Sequence, residues 1–128
     1  MKVFAGILVG ILMFAAAASA ATYTNATVKG NYSVLLTSSA TPQVILGLIK
    51  FDGNGSVNMI YAQPAGFTGT LSGTYTVESN GTGMITFSSQ NPVVTFDFVI
   101  GSVEGGNAKI VQIVDSNGGD GVGTATRQ

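Results

Sequence analysis

The chain has 128 residues, with five Lys and Arg against six Asp and Glu, and it contains no Cys, His or Trp. A net charge of −1 with so few cations leaves no electrostatic footprint for nucleic acid or an anionic membrane surface. Without histidine there are no His-dependent triads or dyads and no usual zinc, copper or haem ligation; without cysteine there are no disulfides.

In chain order, Met1-Lys2 precedes an apolar run from Val3 to Phe14 and a small-residue stretch from Ala15 to Ala20. This is the pattern of a secretory signal peptide over residues 1–20, and it predicts cleavage after Ala20 and a secreted or periplasmic product. The run is too short to span a bilayer convincingly, so no membrane attachment is expected after cleavage. Residues 21–28 form a short N-terminal segment, and 29–128 suffice for a single domain with one core.

Beyond residue 20 no helical periodicity is sustained, and Gly recurs between runs rich in Val, Ile, Thr, Phe and Tyr. Strands are predicted at 29–37, 43–52, 56–63, 67–77, 83–89, 93–100, 108–115 and 121–127. The intervening connections are short, so neighbours pair antiparallel as a meander. Eight such strands most economically close into an all-β, antiparallel, eight-stranded up-and-down β-barrel, which removes exposed edges. A β-sandwich is the alternative.

The alternation assigns faces. Phe67, Gly69, Leu71, Gly73, Tyr75 and Val77 point one way, while Thr68, Thr70, Ser72, Thr74, Thr76 and Glu78 point the other. Tyr32, Val34 and Leu36 repeat the inward pattern, as do Val94, Phe96, Phe98 and Ile100. Strands 43–52 and 108–115 look apolar on both faces. Either residues 21–28 or a loop cover them from outside, or they form a subunit interface. A threonine-coated outer face argues against a transmembrane barrel, whose lipid-facing band must be continuous. There is also an internal echo: Gly30-Asn31-Tyr32-Ser33-Val34 matches Gly73-Thr74-Tyr75-Thr76-Val77, and Gly47-Leu48-Ile49-Lys50-Phe51 matches Gly83-Met84-Ile85-Thr86-Phe87.

The stretches GLIKFDGNGSVNM, LSGTYTVESNGTGMITF and FDFVI, with the ending GTATRQ, resemble a family of small, exported, largely uncharacterised bacterial proteins. The resemblance covers most of residues 30–128. It implies a barrel related in shape to lipocalins or allene oxide cyclases, and it supplies no activity and no catalytic residue.

Candidate chemistry is sparse. The loop Asp115-Ser116-Asn117-Gly118-Gly119-Asp120 offers oxygens from Asp115, Asn117 and Asp120, but Gly119 stands where an EF-hand needs a ligand and no Glu closes the loop. An ordinary turn is the expectation there, and also at Asp52-Gly53-Asn54-Gly55. Asp97, between two inward phenylalanines, is expected to face outward. Reversed, it would be a carboxylate in an apolar cavity, able to act as an acid or base. The tyrosines, Tyr61 among them, and the phenylalanines fill a small core or line a pocket. Tyr32, Phe67, Tyr75, Phe96 and Phe98 are the expected ligand-lining set.

The leading expectation is an exported non-enzymatic barrel that binds a small apolar ligand or a protein, with no metal and no cofactor. The alternatives are a self-associating structural protein of the cell exterior, joined through strands 43–52 and 108–115, and an isomerase- or cyclase-like enzyme using carboxylates such as Asp97 and Glu78.

Overall fold

The computed structural model describes residues 22–38, 43–66, 68–116 and 121–128. The expected signal peptide, Phe67, Asn117 and Asp120 lie outside the described residues. Eight strands follow in order: β1 (Lys29–Ser38), β2 (Gln43–Asp52), β3 (Ser56–Ala62), β4 (Thr68–Val77), β5 (Thr82–Phe87), β6 (Val94–Glu104), β7 (Asn107–Asp115) and β8 (Val122–Arg127). Each pairs antiparallel with the next, and β8 pairs back on β1 with Tyr32 opposite Arg127 and Thr37 opposite Val122. The sheet is thus a closed up-and-down barrel without an edge strand, and not a sandwich.

Period-two alternation builds this wall. On β1 Tyr32, Val34 and Leu36 are buried while Asn31, Ser33, Leu35 and Thr37 are exposed. On β4 the threonines face solvent and Leu71, Gly73, Tyr75 and Val77 face inward. Gly73 is demanded by packing, because a Cβ there would run into the carbonyl oxygen of Thr86 and the Cα of Phe87. β4 and β5 therefore approach more closely than any side chain allows.

The segment 101–107, expected as a loop, is mostly strand. β6 continues to Glu104, and only Gly105 and Gly106, with φ of 61° and 81°, make the turn into β7. Two left-handed residues in succession fit the tightest hairpin turns. Gly101 interrupts the apolar alternation without ending the strand, since the ladder absorbs a register shift between Ile100 and Val103.

One end of the barrel is sealed. Residues 22–28 cross it, with a 3-10 turn at Asn25–Thr27 and Val28 fully buried. The Oδ1 of Asn25 accepts the Val77 amide at 2.8 Å, and the Tyr23 amide donates to the Ser79 carbonyl at 3.2 Å. Beneath this lid Phe51 stands between two tyrosines. Its ring centroid is 5.4 Å from that of Tyr32 and 4.8 Å from that of Tyr75, both edge-to-face. The echoed motif therefore places two equivalent tyrosines against one ring, and its second halves supply buried Ile49, Phe51, Ile85 and Phe87.

Because residues 22–28 cover the barrel's end, they do not cover its outer wall as one reading of the sequence expected. Val44, Leu46 and Leu48 on β2 and Val114 on β7 stay 40–58% exposed. The remaining apolar run of β7 is largely accounted for by the core, since Val111 and Ile113 are buried.

Candidate functional site

At the opposite end of the barrel lies an apolar cup. β1 contributes Leu36, β2 contributes Ile45, β3 contributes Met59 and Tyr61, β4 contributes Leu71, and β6 contributes Val94 and Phe96. They enclose a cavity of about 170 Å³, with Gln63 and Gln90 at its rim. An adjoining space of about 110 Å³ shares Leu36, Ile45 and Phe96 and extends to Asp115. Leu36 and Met59 are buried at the base, and Phe96 meets the core through an edge-to-face contact with Phe87, 6.1 Å between centroids.

One large residue of the cup lies against the wall. Tyr61 sits opposite Gly69 on the β3–β4 ladder. Its ring covers that glycine so closely that a Cβ there would fall 2.6–2.8 Å from the ring and its hydroxyl. An aromatic ring laid over a strand glycine shields the backbone, and it also keeps the ring off the barrel axis. Glycines at 47, 69 and 123 leave room on the inner face that Met59, Tyr61 and Leu36 reach into.

The five residues expected to line a ligand are placed as follows. Phe96 lines the cup. Tyr32, Tyr75 and Phe98 are buried in the core at 0–2% exposure. Phe67 lies outside the described residues. The two tyrosine hydroxyls are committed to backbone carbonyls: Tyr32 donates to Ala108 at 2.6 Å, and Tyr75 to Val28 at 2.7 Å and Asn25 at 3.1 Å. Burial pushes both phenols above the ordinary tyrosine pKa, against a partial opposing pull on Tyr32 from the Arg127 charge.

The carboxylates are spread apart. Asp115 pairs with Phe96 across the β6–β7 ladder and stands at the rim of the cup. Asn117 and Asp120, its companions in the candidate metal loop, are outside the described residues, and no cluster of three or more metal-ligating acids occurs among the described residues. Asp52 serves its turn: its Oδ1 accepts the amides of Asn54 at 2.7 Å and Ser56 at 2.9 Å, which holds its pKa below the usual carboxylate value. Asp97 faces outward and is exposed. The structure adds Glu78 to the same outer groove, a juxtaposition that the sequence reading missed. The inward parity of Leu36, Leu71 and Val94 was readable, but that of Ile45, on a strand apolar on both faces, was not, nor was their meeting at one cup.

Chemically, the cup can exclude water from a small apolar guest. Asp115 is the one carboxylate at its border among the described residues. The chain matches no protein-family model, no curated protein and no solved structure.

Proposed function

We propose that the protein is an exported, non-enzymatic barrel that takes a small apolar molecule into the cup between Leu36, Tyr61, Leu71 and Phe96. The observation that supports this reading is the contrast between the two ends. One is sealed by residues 22–28 over buried Tyr32, Phe51 and Tyr75, while the other keeps a cavity of about 170 Å³ lined by apolar side chains. A cavity of about 150 Å³ with such a lining accepts benzene. Gln63 and Gln90 provide hydrogen-bonding groups beside the apolar lining for a guest with one polar end. The compartment rests on the leader pattern of residues 1–20, and the resemblance to small exported bacterial barrels agrees with it.

The test is a titration with benzene or toluene, followed by methyl resonances. Leu36, Ile45 and Leu71 are expected to shift saturably, while Val57 and Val111, buried elsewhere in the core, stay still. Leu71→Trp, which fills the cup, should abolish the shifts without unfolding the barrel. Unmoved cup methyls at saturating benzene would refute the reading.

A further inference from the structure

Exposed apolar side chains lie around the outer wall, Val122 on β8 among them, and two of its opposite sides differ in charge. On β1–β3 Leu35 pairs with Leu46 and Leu48 pairs with Ile60, and all four are 40–61% exposed. Lys50 follows Leu48 on the same face, opposite Asn58, and is exposed. This is an apolar ridge carrying a cation.

Across the barrel, β4–β7 bear a groove of about 570 Å³. Met84, Val99 and Val114 form its apolar floor, and Glu78 and Asp97 are its charges. Asp97 pairs with Met84 on one side and Val114 on the other, so its carboxylate sits within the apolar strip. Among the described residues neither carboxylate has an ion-pair partner. In a closed ring of eight strands β2 and β6 are diametrically opposed.

We propose that the occupant of the groove is a second copy of this chain, whose ridge docks there with Lys50 against Asp97 and Glu78. The argument for a second copy is complementarity: apolar side chains against apolar side chains, and a ridge whose two lysines, Lys50 and Lys29, outnumber its one acid, Asp52, against a groove whose charges, Glu78 and Asp97, are both acids. The ridge and the groove are different surfaces, so the contact is heterologous. Each added copy leaves a fresh ridge and a fresh groove, and the assembly grows as an open chain or closes as a ring.

Sedimentation over a wide range of protein concentration tests this. The wild-type protein is expected to form species larger than dimers that dissociate as salt is raised, because the charges are exposed. Lys50→Glu should weaken association by roughly tenfold or more, since it sets like charges face to face. The double variant Glu78→Lys/Asp97→Lys should do the same. Mixing the two variants should restore assembly, because each ridge then meets a groove of opposite sign. A strict monomer at every concentration, a two-fold dimer indifferent to Lys50→Glu, or a mixture that stays monomeric would overturn the proposal. Circular dichroism of each variant separates loss of contact from loss of fold. None of these outcomes bears on the cup, which opens at the barrel's end.

Discussion

The hydroxyl of Tyr75 donates to the carbonyl of Val28, 2.7 Å away, across 47 residues of sequence. It reaches the Asn25 carbonyl as well, at 3.1 Å, so one phenol on β4 fastens both ends of the 3-10 turn that seals the barrel. The lid is held by a core residue, and the same residue packs on Phe51. Sealing and packing are therefore coupled through a single side chain.

Tyr75→Phe keeps the ring and removes the fastening. Leaving a buried carbonyl unsatisfied costs about 1–3 kcal/mol, so a stability loss in that range is expected by chemical denaturation. Amide exchange should rise most at Val28 and Val77, whose protection depends on the lid staying in place.

Phe51 is the ring on which both echoed tyrosines rest, and it is 1% exposed. Phe51→Ala should cost about 3–5 kcal/mol, the usual range for emptying an aromatic from a core. Phe96→Ala, at the partly open cup, should cost distinctly less and should report instead as weaker binding of benzene. Reversal of that order would mean that the cup end, and not the sealed end, carries the stability.

Two glycines make a sharper contrast. Gly73→Ala puts a methyl group into the β5 backbone at Thr86 and should severely destabilise or abolish folding. At Gly101 the nearest atoms to a new Cβ are 3.5 Å away, an ordinary contact. Gly101→Ala should lie within about 0.5 kcal/mol of wild type. Thermal melts of the two variants side by side decide the matter.

Stability should fall on the alkaline side through Tyr32 and Tyr75. Both phenols have a pKa raised in the folded state by burial, so the folded protein holds these protons more tightly than the unfolded chain. The contribution is fully present below the unfolded value of about 10 and is lost as pH rises through the higher folded values. Asp52 acts on the opposite limb. Its lowered pKa gives stability that is present above the unfolded value and lost as pH falls through the folded one. Denaturation profiles of Tyr32→Phe/Tyr75→Phe should show a flatter alkaline limb, and those of Asp52→Asn a flatter acid limb.

The barrel and its inner face were legible because period-two alternation and Gly-marked turns are local signals, and they survive from Tyr32 to Ala125 with few breaks. The echoed G-x-Y-[ST]-V motif marked both tyrosines as inward, and the structure adds that they rest on one ring, Phe51. What escaped was everything decided at long range. Nothing in residues 22–28 shows that Asn25 will bind Val77, and nothing near Tyr61 shows that its ring will be drawn onto Gly69. The acids at 78 and 97 looked separate because two strands of ladder, not the sequence, bring them to one groove. The β6–β7 hairpin was misjudged for a local reason: Gly101 reads as a break, and the bulge that accommodates it leaves no mark in composition.

The pairing of β1 with β8 also governs timing. Tyr32 faces Arg127, and the Gln128 amide donates to the Asn31 carbonyl at 3.0 Å, so the first strand of the domain has one flank that only its last residues can satisfy. A chain delivered from its N-terminus cannot close this ring until residues 122–127 have arrived. A truncation of even that short strand would not trim the domain; it would unzip it, exposing β1 and β7 together as two raw edges.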